Sequence, residues 1–430
     1  MLESWKKLQN GSDIRGVALE GVPGETVNLT PAIAEILAGA FASWLADKSG
    51  KAPVDLRVSI GRDSRLSGPA LAEAVERGLR AAGCTVIRFG LSSTPAMFMS
   101  TVLPGHGYDG AIMLTASHLP FNRNGLKFFT PEGGLEKKDI TEILERASEG
   151  PVPDAATAGE ATDCDFLSVY AAHLVDLIRK GAAGAATVAG TDAYNRPLAG
   201  LRILVDAGNG AGGFFAEKVL KPLGADTTGS QFLDPDGSFP NHIPNPEDKA
   251  AMASIQSAVL AAQADLGIIF DTDVDRAGAV DKNGREINRN RIIALMAAIV
   301  LGEHPGTTIV TDSITSDELK AFIEQRLGGR HHRFKRGYKN VINEAIRLNE
   351  SGFETHLAIE TSGHGALKEN WFLDDGAYLV AKILIQVARL QREGKTVDLL
   401  LADLAEPAES AEFRLGIDET DFKACGTRVI

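Results

Sequence analysis

The stretch Ala111 to Lys127, AIMLTASHLPFNRNGLK, places one hydroxyl where chemistry could use it. The apolar run Ala111 to Leu114 reads as a buried strand. It stops at the small, polar Thr115-Ala116-Ser117-His118. Pro120, Asn122, Asn124 and Gly125 read as turn residues, and Lys127, Phe128 and Phe129 follow. A strand ending in a serine on a Pro/Gly-punctuated loop presents its hydroxyl to a cleft. A lone loop serine more often serves only nearby backbone groups, but His118 beside it and Lys127 after it favour a chemical role. A hydrolase nucleophile elbow would need Gly-x-Ser-x-Gly, which the chain lacks. A phosphorylated serine would carry roughly −1.5 to −2 charges and need cations around it.

A second constellation supplies carboxylates. Asp271-Thr272-Asp273-Val274-Asp275-Arg276 directly follows the strand-like run Leu266 to Phe270. Three acids at alternate positions of a strand end, turned to one side, surround a hard cation with oxygen. An EF-hand would need Gly at the sixth position and Glu at the twelfth. Arg276 and Lys282 stand there, so that reading fails. A third polar segment, Glu360-Thr361-Ser362-Gly363-His364, ends another apolar run, Leu357 to Ile359, and alone is only a polar turn.

The elements that must carry these groups share one grammar. Leu56 to Ile60, Leu201 to Val205 and Thr308 to Val310 each read as a strand that runs into a small polar turn. Each turn leads into a helical pattern: Pro69 to Ala82, Phe214 to Leu220 and Asp317 to Leu327. Three such βα units predict three α/β domains with a common core. Glu149 to Ala161 reads as a loop, and a helix from Asp165 to Arg179 closes the first domain. Gly181 to Gly200 is a Gly/Ala-rich linker, and Gly302 to Gly306 marks a second break. A helix from Val380 to Arg392 follows, and a strand-like AEFRLGI near the end starts something new.

The bulk numbers agree with this plan. A chain of 430 residues exceeds one core. Its 44% hydrophobic and 23% charged residues are ordinary for a globular protein. A net charge of −13 disfavours nucleic-acid binding. The three scattered cysteines, Cys84, Cys164 and Cys425, fit a reducing compartment and no metal motif. The N-terminus shows no secretory signal, and the longest apolar run, Ile292 to Leu301, is too short to span a bilayer.

Together, Thr-Ala-Ser-His-x-Pro with Asn-Gly-x-Lys, the aspartate loop and Glu-x-Ser-Gly-His resemble the α-D-phosphohexomutases, the phosphoglucomutase/phosphomannomutase superfamily. Supporting matches are Ser12-Asp13-Ile14-Arg15-Gly16, Gly61-Arg62-Asp63-Ser64-Arg65, Asn245-Pro246-Glu247, Arg336-Gly337-Tyr338-Lys339 and Asp374-Asp375-Gly376. The resemblance implies that Ser117 carries a phosphoryl group and that Asp271, Asp273 and Asp275 hold Mg²⁺ with a phosphoserine oxygen. It implies that Arg15 assists transfer, that His118 and Lys127 move the hydroxyl proton, and that Arg276 and Lys339 reach substrate. Glu360 and Ser362 would take sugar hydroxyls, with His364 as the variant found in several members. Leu119 stands where the family usually has Asn, and Thr272 where it usually has Gly.

The expected fold is α/β: three consecutive domains of mixed sheet flanked by helices around a central cleft, at 1–185, 186–302 and 303–405. A short remnant of a fourth domain would occupy 406–430. The family's fourth domain grips the substrate phosphate through an Arg-x-Ser-x-Thr loop, and nothing like that loop follows Asp374. The expected function is interconversion of hexose 1-phosphate and hexose 6-phosphate, of glucose or mannose, through a hexose 1,6-bisphosphate that is also the activator. The expected partners are small sugar phosphates, with neither nucleic acid nor membrane, in a monomer or homodimer of the cytoplasm, or of a plastid stroma after loss of a leader. Two alternatives stand beside it. One is a non-catalytic or regulatory relative without the phosphate-binding domain. The other is a dinucleotide-dependent oxidoreductase, suggested by Gly208-Asn209-Gly210-Ala211-Gly212-Gly213 with Asp226 further on, a Gly-x-Gly-x-x-Gly between strand and helix. Gly394-Lys395-Thr396 ends like a P-loop, but Arg389 replaces the first Gly.

Overall fold

The apolar run before Ser117 is buried on both faces, which explains why it has no polar alternation. Ala111 and Met113 point into one hydrophobic core, with Met97, Phe98 and Phe166. Ile112 and Leu114 point into another, with Phe41, Val58, Leu79 and Ile143. The computed structural model describes residues 2–184, 187–409 and 411. The AEFRLGI segment after its first residue, and Cys425, lie outside the described residues.

The strand Gly110–Leu114 belongs to an eight-stranded mixed sheet. It pairs parallel with Arg57–Arg62, which pairs parallel with Thr85–Leu91, and antiparallel with Arg123–Thr130. Asp13–Val17 extends the sheet beyond Arg123–Thr130 and sets Arg15 opposite Gly125. A short edge strand, Ala161–Asp163, was not apparent in the sequence.

Two four-stranded sheets follow. In one, Leu266–Phe270 runs parallel to Ile203–Asp206 and antiparallel to Ala277–Asp281, with Glu286–Ile287 outside it. In the other, Thr355–Ile359 and Arg330–Phe334 flank Thr308–Asp312 in parallel, and Gly365–Leu367 returns antiparallel to Thr355–Ile359. One device recurs in all three sheets: a parallel strand ends, a loop turns, and the chain returns antiparallel beside it. The Ser117 loop, the Asp271–Asp275 loop and the Glu360–His364 loop occupy these three positions.

The expected helices form as Gly68–Ala81, Phe166–Ala182 and Gly376–Arg392, and the apolar run Ile292 to Leu301 lies in a further helix, Asn290–Glu303. Phe215–Leu220 and Phe322–Arg326 wind with π rather than α pitch. The helix expected to close the first domain also reaches the third sheet's partners. Tyr170 on it donates to both Asp375 carboxylate oxygens at 2.6 and 2.7 Å, at the N-terminus of Gly376–Arg392. One hydrophobic core accordingly takes side chains from all three sheets, Ile87, Ile268 and Leu357 among them. Among the described residues, no helix is long and apolar enough to cross a membrane.

Candidate functional site

Ser117 is held by its loop in a left-handed backbone conformation, with φ 50. Its N–H donates to Thr115 Oγ1 at 2.9 Å. Asn124 and Gly125 differ from expectation: they form no turn but lie inside the strand Arg123–Thr130. Gly125 is needed there for close packing. A Cβ on it would lie 2.2 Å from the Ile14 carbonyl and 2.8 Å from that of Thr115, where three strands converge.

The aspartate loop also departs from the expected strand extension. The strand ends at Phe270 and residues 271–276 coil, with Val274 at φ 69, a costly geometry for a β-branched residue. Its neighbours hold it there. Gly376 N–H donates to Val274 O at 3.1 Å, Ala211 N–H to Thr272 O at 2.8 Å, and Ala277 N–H to Gly363 O at 3.3 Å. The coil brings one carboxylate oxygen each from Asp271, Asp273 and Asp275 within 4.8 Å of one another, all buried.

The two loops meet. Ser117 Oγ donates to Asp271 Oδ2 at 2.9 Å, although 154 positions separate them. The Arg276 guanidinium donates to Ser117 Oγ at 3.0 Å, to Asp271 Oδ2 at 3.1 Å and to His118 Nδ1 at 2.7 Å. Its other arm donates to Asn245 at 3.1 Å. Lys127 Nζ donates to Asp275 at 2.5 Å and lies 3.4 Å from Asp273. Thr94, which sequence reasoning missed, donates to Asp273 Oδ2 at 2.6 Å from the start of a helix; Ser-Ser-Thr-Pro at 92–95 signalled that helix start, not the contact. Arg15 lies half-buried nearby, donating to Asp13 at 2.9 Å.

The charges are unbalanced toward acid. Burial, then the Asp275 and Asp273 charges, push the Asp271 carboxyl well above its ordinary range. Asp273 Oδ1 and Asp275 Oδ1 are buried without a hydrogen-bond partner. Buried oxygens of this kind call for a ligand. With Asp271 and Ser117 Oγ they form an all-oxygen donor set, which suits Mg²⁺. Burial and the Arg276 and Arg15 charges push His118 down to about 4, so it is neutral near pH 7, with Nδ1 3.4 Å from Ser117 Oγ. Burial opposes the charge on Lys127, but Asp273 and Asp275 hold it well above the ordinary lysine range. In this arrangement the two aspartates hold Lys127 as a cation.

The remaining predicted residues do not all join this floor. His364 does: its Nδ1 is 2.5 Å from Asp374 and 4.0 Å from Asp275, and its ring stacks on Tyr338 at 5.1 Å. Burial opposes its charge, but Asp374 and Asp275 hold it up to about 9. Glu360 instead accepts from Gly337 N–H at 2.6 Å, and Ser362 Oγ lies 3.4 Å from Glu360. Lys339 reaches the first sheet, donating to Gly134 O at 2.6 Å and lying 3.2 Å from Glu136. A cavity of about 120 Å³ between floor and rim is lined by Asp13, Lys127, Asp275, Tyr338, Lys339 and Asp374.

The glycine-rich turn is filled by protein. A Cβ on Gly210 would lie 2.6 Å from Thr272 O, and one on Gly213 would lie 2.1 Å from Leu233 O. Asp226 is taken by Arg202 at 2.7 Å. Gly210 permits close packing against the aspartate loop, and Gly213 against Leu233, so both serve contacts within the protein.

Three family models match the chain: phosphoglucomutase/phosphomannomutase α/β/α domain I over residues 6–151, domain II over 186–284 and domain III over 288–408. A phosphoglucomutase of Neisseria gonorrhoeae is 32% identical over 390 residues, covering 90% of this chain and 78% of that protein. A phosphomannomutase/phosphoglucomutase of Pseudomonas putida is 31% identical over 415 residues, covering 95% and 80%. The crystal structure of a phosphoglucomutase/phosphomannomutase family protein from Burkholderia thailandensis superposes with a TM-score of 0.73 at 29% identity, over 94% of this chain and 80% of that one.

Proposed function

The chain belongs to the phosphoglucomutase/phosphomannomutase family of phosphohexomutases, which are isomerases, and on that premise we propose that it interconverts the 1- and 6-phosphates of glucose and mannose through phospho-Ser117. The bond from phosphorus to Ser117 Oγ breaks as one forms to the sugar's free hydroxyl oxygen, giving a hexose 1,6-bisphosphate. The hydroxyl proton passes by way of neutral His118 and ends on Ser117 Oγ. After the bisphosphate turns end for end, its other phosphoryl group returns to Ser117 and the released sugar oxygen regains a proton.

Catalysis of this kind rests on positioning and on neutralising charge. Lys127, Arg276 and Arg15 supply fixed cations around the serine. Asp271, Asp273 and Asp275 would hold Mg²⁺, which supplies charge neutralisation for the transferring phosphoryl group. Glu360, Ser362 and His364 would sort sugar hydroxyls, and Lys339 would reach the substrate once released from Gly134 and Glu136. The named relatives are bacterial, which supports a bacterial cytoplasmic role over a plastid one.

The observation that carries this reading is the 2.9 Å contact between Ser117 Oγ and Asp271 across distant parts of the chain. The test is turnover of glucose 1-phosphate and mannose 1-phosphate with Mg²⁺ and a trace of the matching 1,6-bisphosphate. Formation of the 6-phosphates is expected. Failure with both sugars would overturn the proposal.

A further inference from the structure

Arg65 is fully buried, yet it stands outside the reacting constellation. Its terminal nitrogens donate all four of their N–H groups to backbone carbonyls. One terminal nitrogen donates to Pro120 O at 2.8 Å and Arg123 O at 2.9 Å. The other donates to Leu119 O at 2.7 Å and to the carbonyl of Ser117 itself. Nε faces Asp63 Oδ2 at 3.2 Å. Asp63 is fixed in turn: its N–H donates to Leu114 O at 3.1 Å, and its Oδ1 accepts Arg65 N–H at 2.9 Å. A planar fork of five donors is the side chain that can gather four carbonyls converging from one loop; an ammonium with three cannot.

A loop of the second sheet closes over this fork. Gly237 packs on the backbone of residues 64–66: a Cβ there would lie 2.4 Å from Ser64 O, 2.5 Å from Leu66 N and 2.7 Å from Arg65 Cα. Phe239 lays its ring 5.3 Å from the guanidinium while held at φ 50. A bulky residue held in that region is strained, and such strain gathers at functional sites. The glycine-rich turn anchors this loop, since Asp236 N–H donates to Asn209 O at 2.9 Å.

We propose that Arg65 is a positioning residue for Ser117: it gathers the carbonyls of residues 117–123 so that the serine keeps its left-handed turn and faces Asp271, and the 235–239 loop clamps it in place. The proposal rests on the reading of Ser117 as the phosphoryl carrier.

The test compares wild type with Arg65→Lys and Gly237→Ala, measuring kcat, KM for glucose 1-phosphate, and amide hydrogen exchange across 115–125. Arg65→Lys should lower kcat about 100-fold, the loss that a small misplacement of a reacting group produces. KM should stay within about threefold, because substrate contacts are untouched. Exchange should quicken in 115–125 and stay unchanged in the Lys137–Ser148 helix. Gly237→Ala loosens the clamp from the second sheet and should give the same pattern with a smaller fall in kcat. It decides the matter if Arg65→Lys fails to fold. Unchanged kcat and unchanged exchange in the folded variant would overturn the proposal, as would equal loss of protection throughout the first sheet. Wild type that turns over no sugar phosphate would sink the mutase reading instead, and the exchange comparison would still judge Arg65.

Discussion

The floor and the rim of the cleft are built differently. On the floor, Ser117, Asp271, Asp273, Asp275, Arg276 and Lys127 are buried and bonded to one another across separate sheets. On the rim, Glu360 is bonded to Gly337, Ser362 contacts Glu360, and Lys339 is tied to Gly134 and Glu136. The floor is organised before substrate arrives, apart from two carboxylate oxygens without partners. The rim is engaged with itself and with the first sheet, so on the proposed function a sugar would displace those bonds. Damage to the floor should therefore appear in kcat, and damage to the rim in KM.

The largest expected effect is at Ser117. Ser117→Ala should lower kcat on the order of 10³-fold or more, the scale of losing a covalent carrier. Near-normal turnover would remove the floor's central member. Next is Lys127→Met, which strips a buried cation from Asp273 and Asp275. It should cost about 10²- to 10³-fold in kcat, as when a charge-stabilising donor is lost. On the rim, Glu360→Gln should raise KM about tenfold, the value of one hydrogen bond to a charged group, with kcat little changed. If Glu360→Gln instead cut kcat as deeply as Lys127→Met, the division between the regions would be wrong.

The smallest expected effect is a pH dependence at His364, where rim meets floor. Its imidazolium is favoured in the folded chain, with a pKa raised from 6.5 to about 9. That stabilisation is complete below about pH 6.5 and fades as pH rises through about 9. The thermal midpoint of wild type relative to His364→Gln should fall across that window. A difference independent of pH would contradict the charge assigned to His364.

Much of the floor was legible because it lies at the ends of apolar strands. Ala111 to Leu114 and Leu266 to Phe270 announce themselves, and the polar residues that end them are the site. The convergence of those ends could not be read from local pattern, because it depends on three sheets sharing the same return-strand device. Asn124 and Gly125 looked like a turn because nothing local shows the Ile14 carbonyl that Gly125 must admit. Thr94 was hidden in an ordinary helix start. Arg65 lay in a visible motif, but its purpose depends on carbonyls more than fifty positions away. The glycine-rich turn misled for a related reason: its Gly210 admits the aspartate loop, a contact nothing local shows.

The central claim is that Ser117 carries a phosphoryl group beside the aspartate triad. The most direct measurement is intact mass with peptide mapping, on wild type and Ser117→Ala, after incubation with glucose 1,6-bisphosphate and Mg²⁺. The account predicts one phosphoryl group on the peptide spanning 111–127 of wild type and none on Ser117→Ala. Wild type left unmodified, or a phosphoryl group that persists in Ser117→Ala, would contradict it.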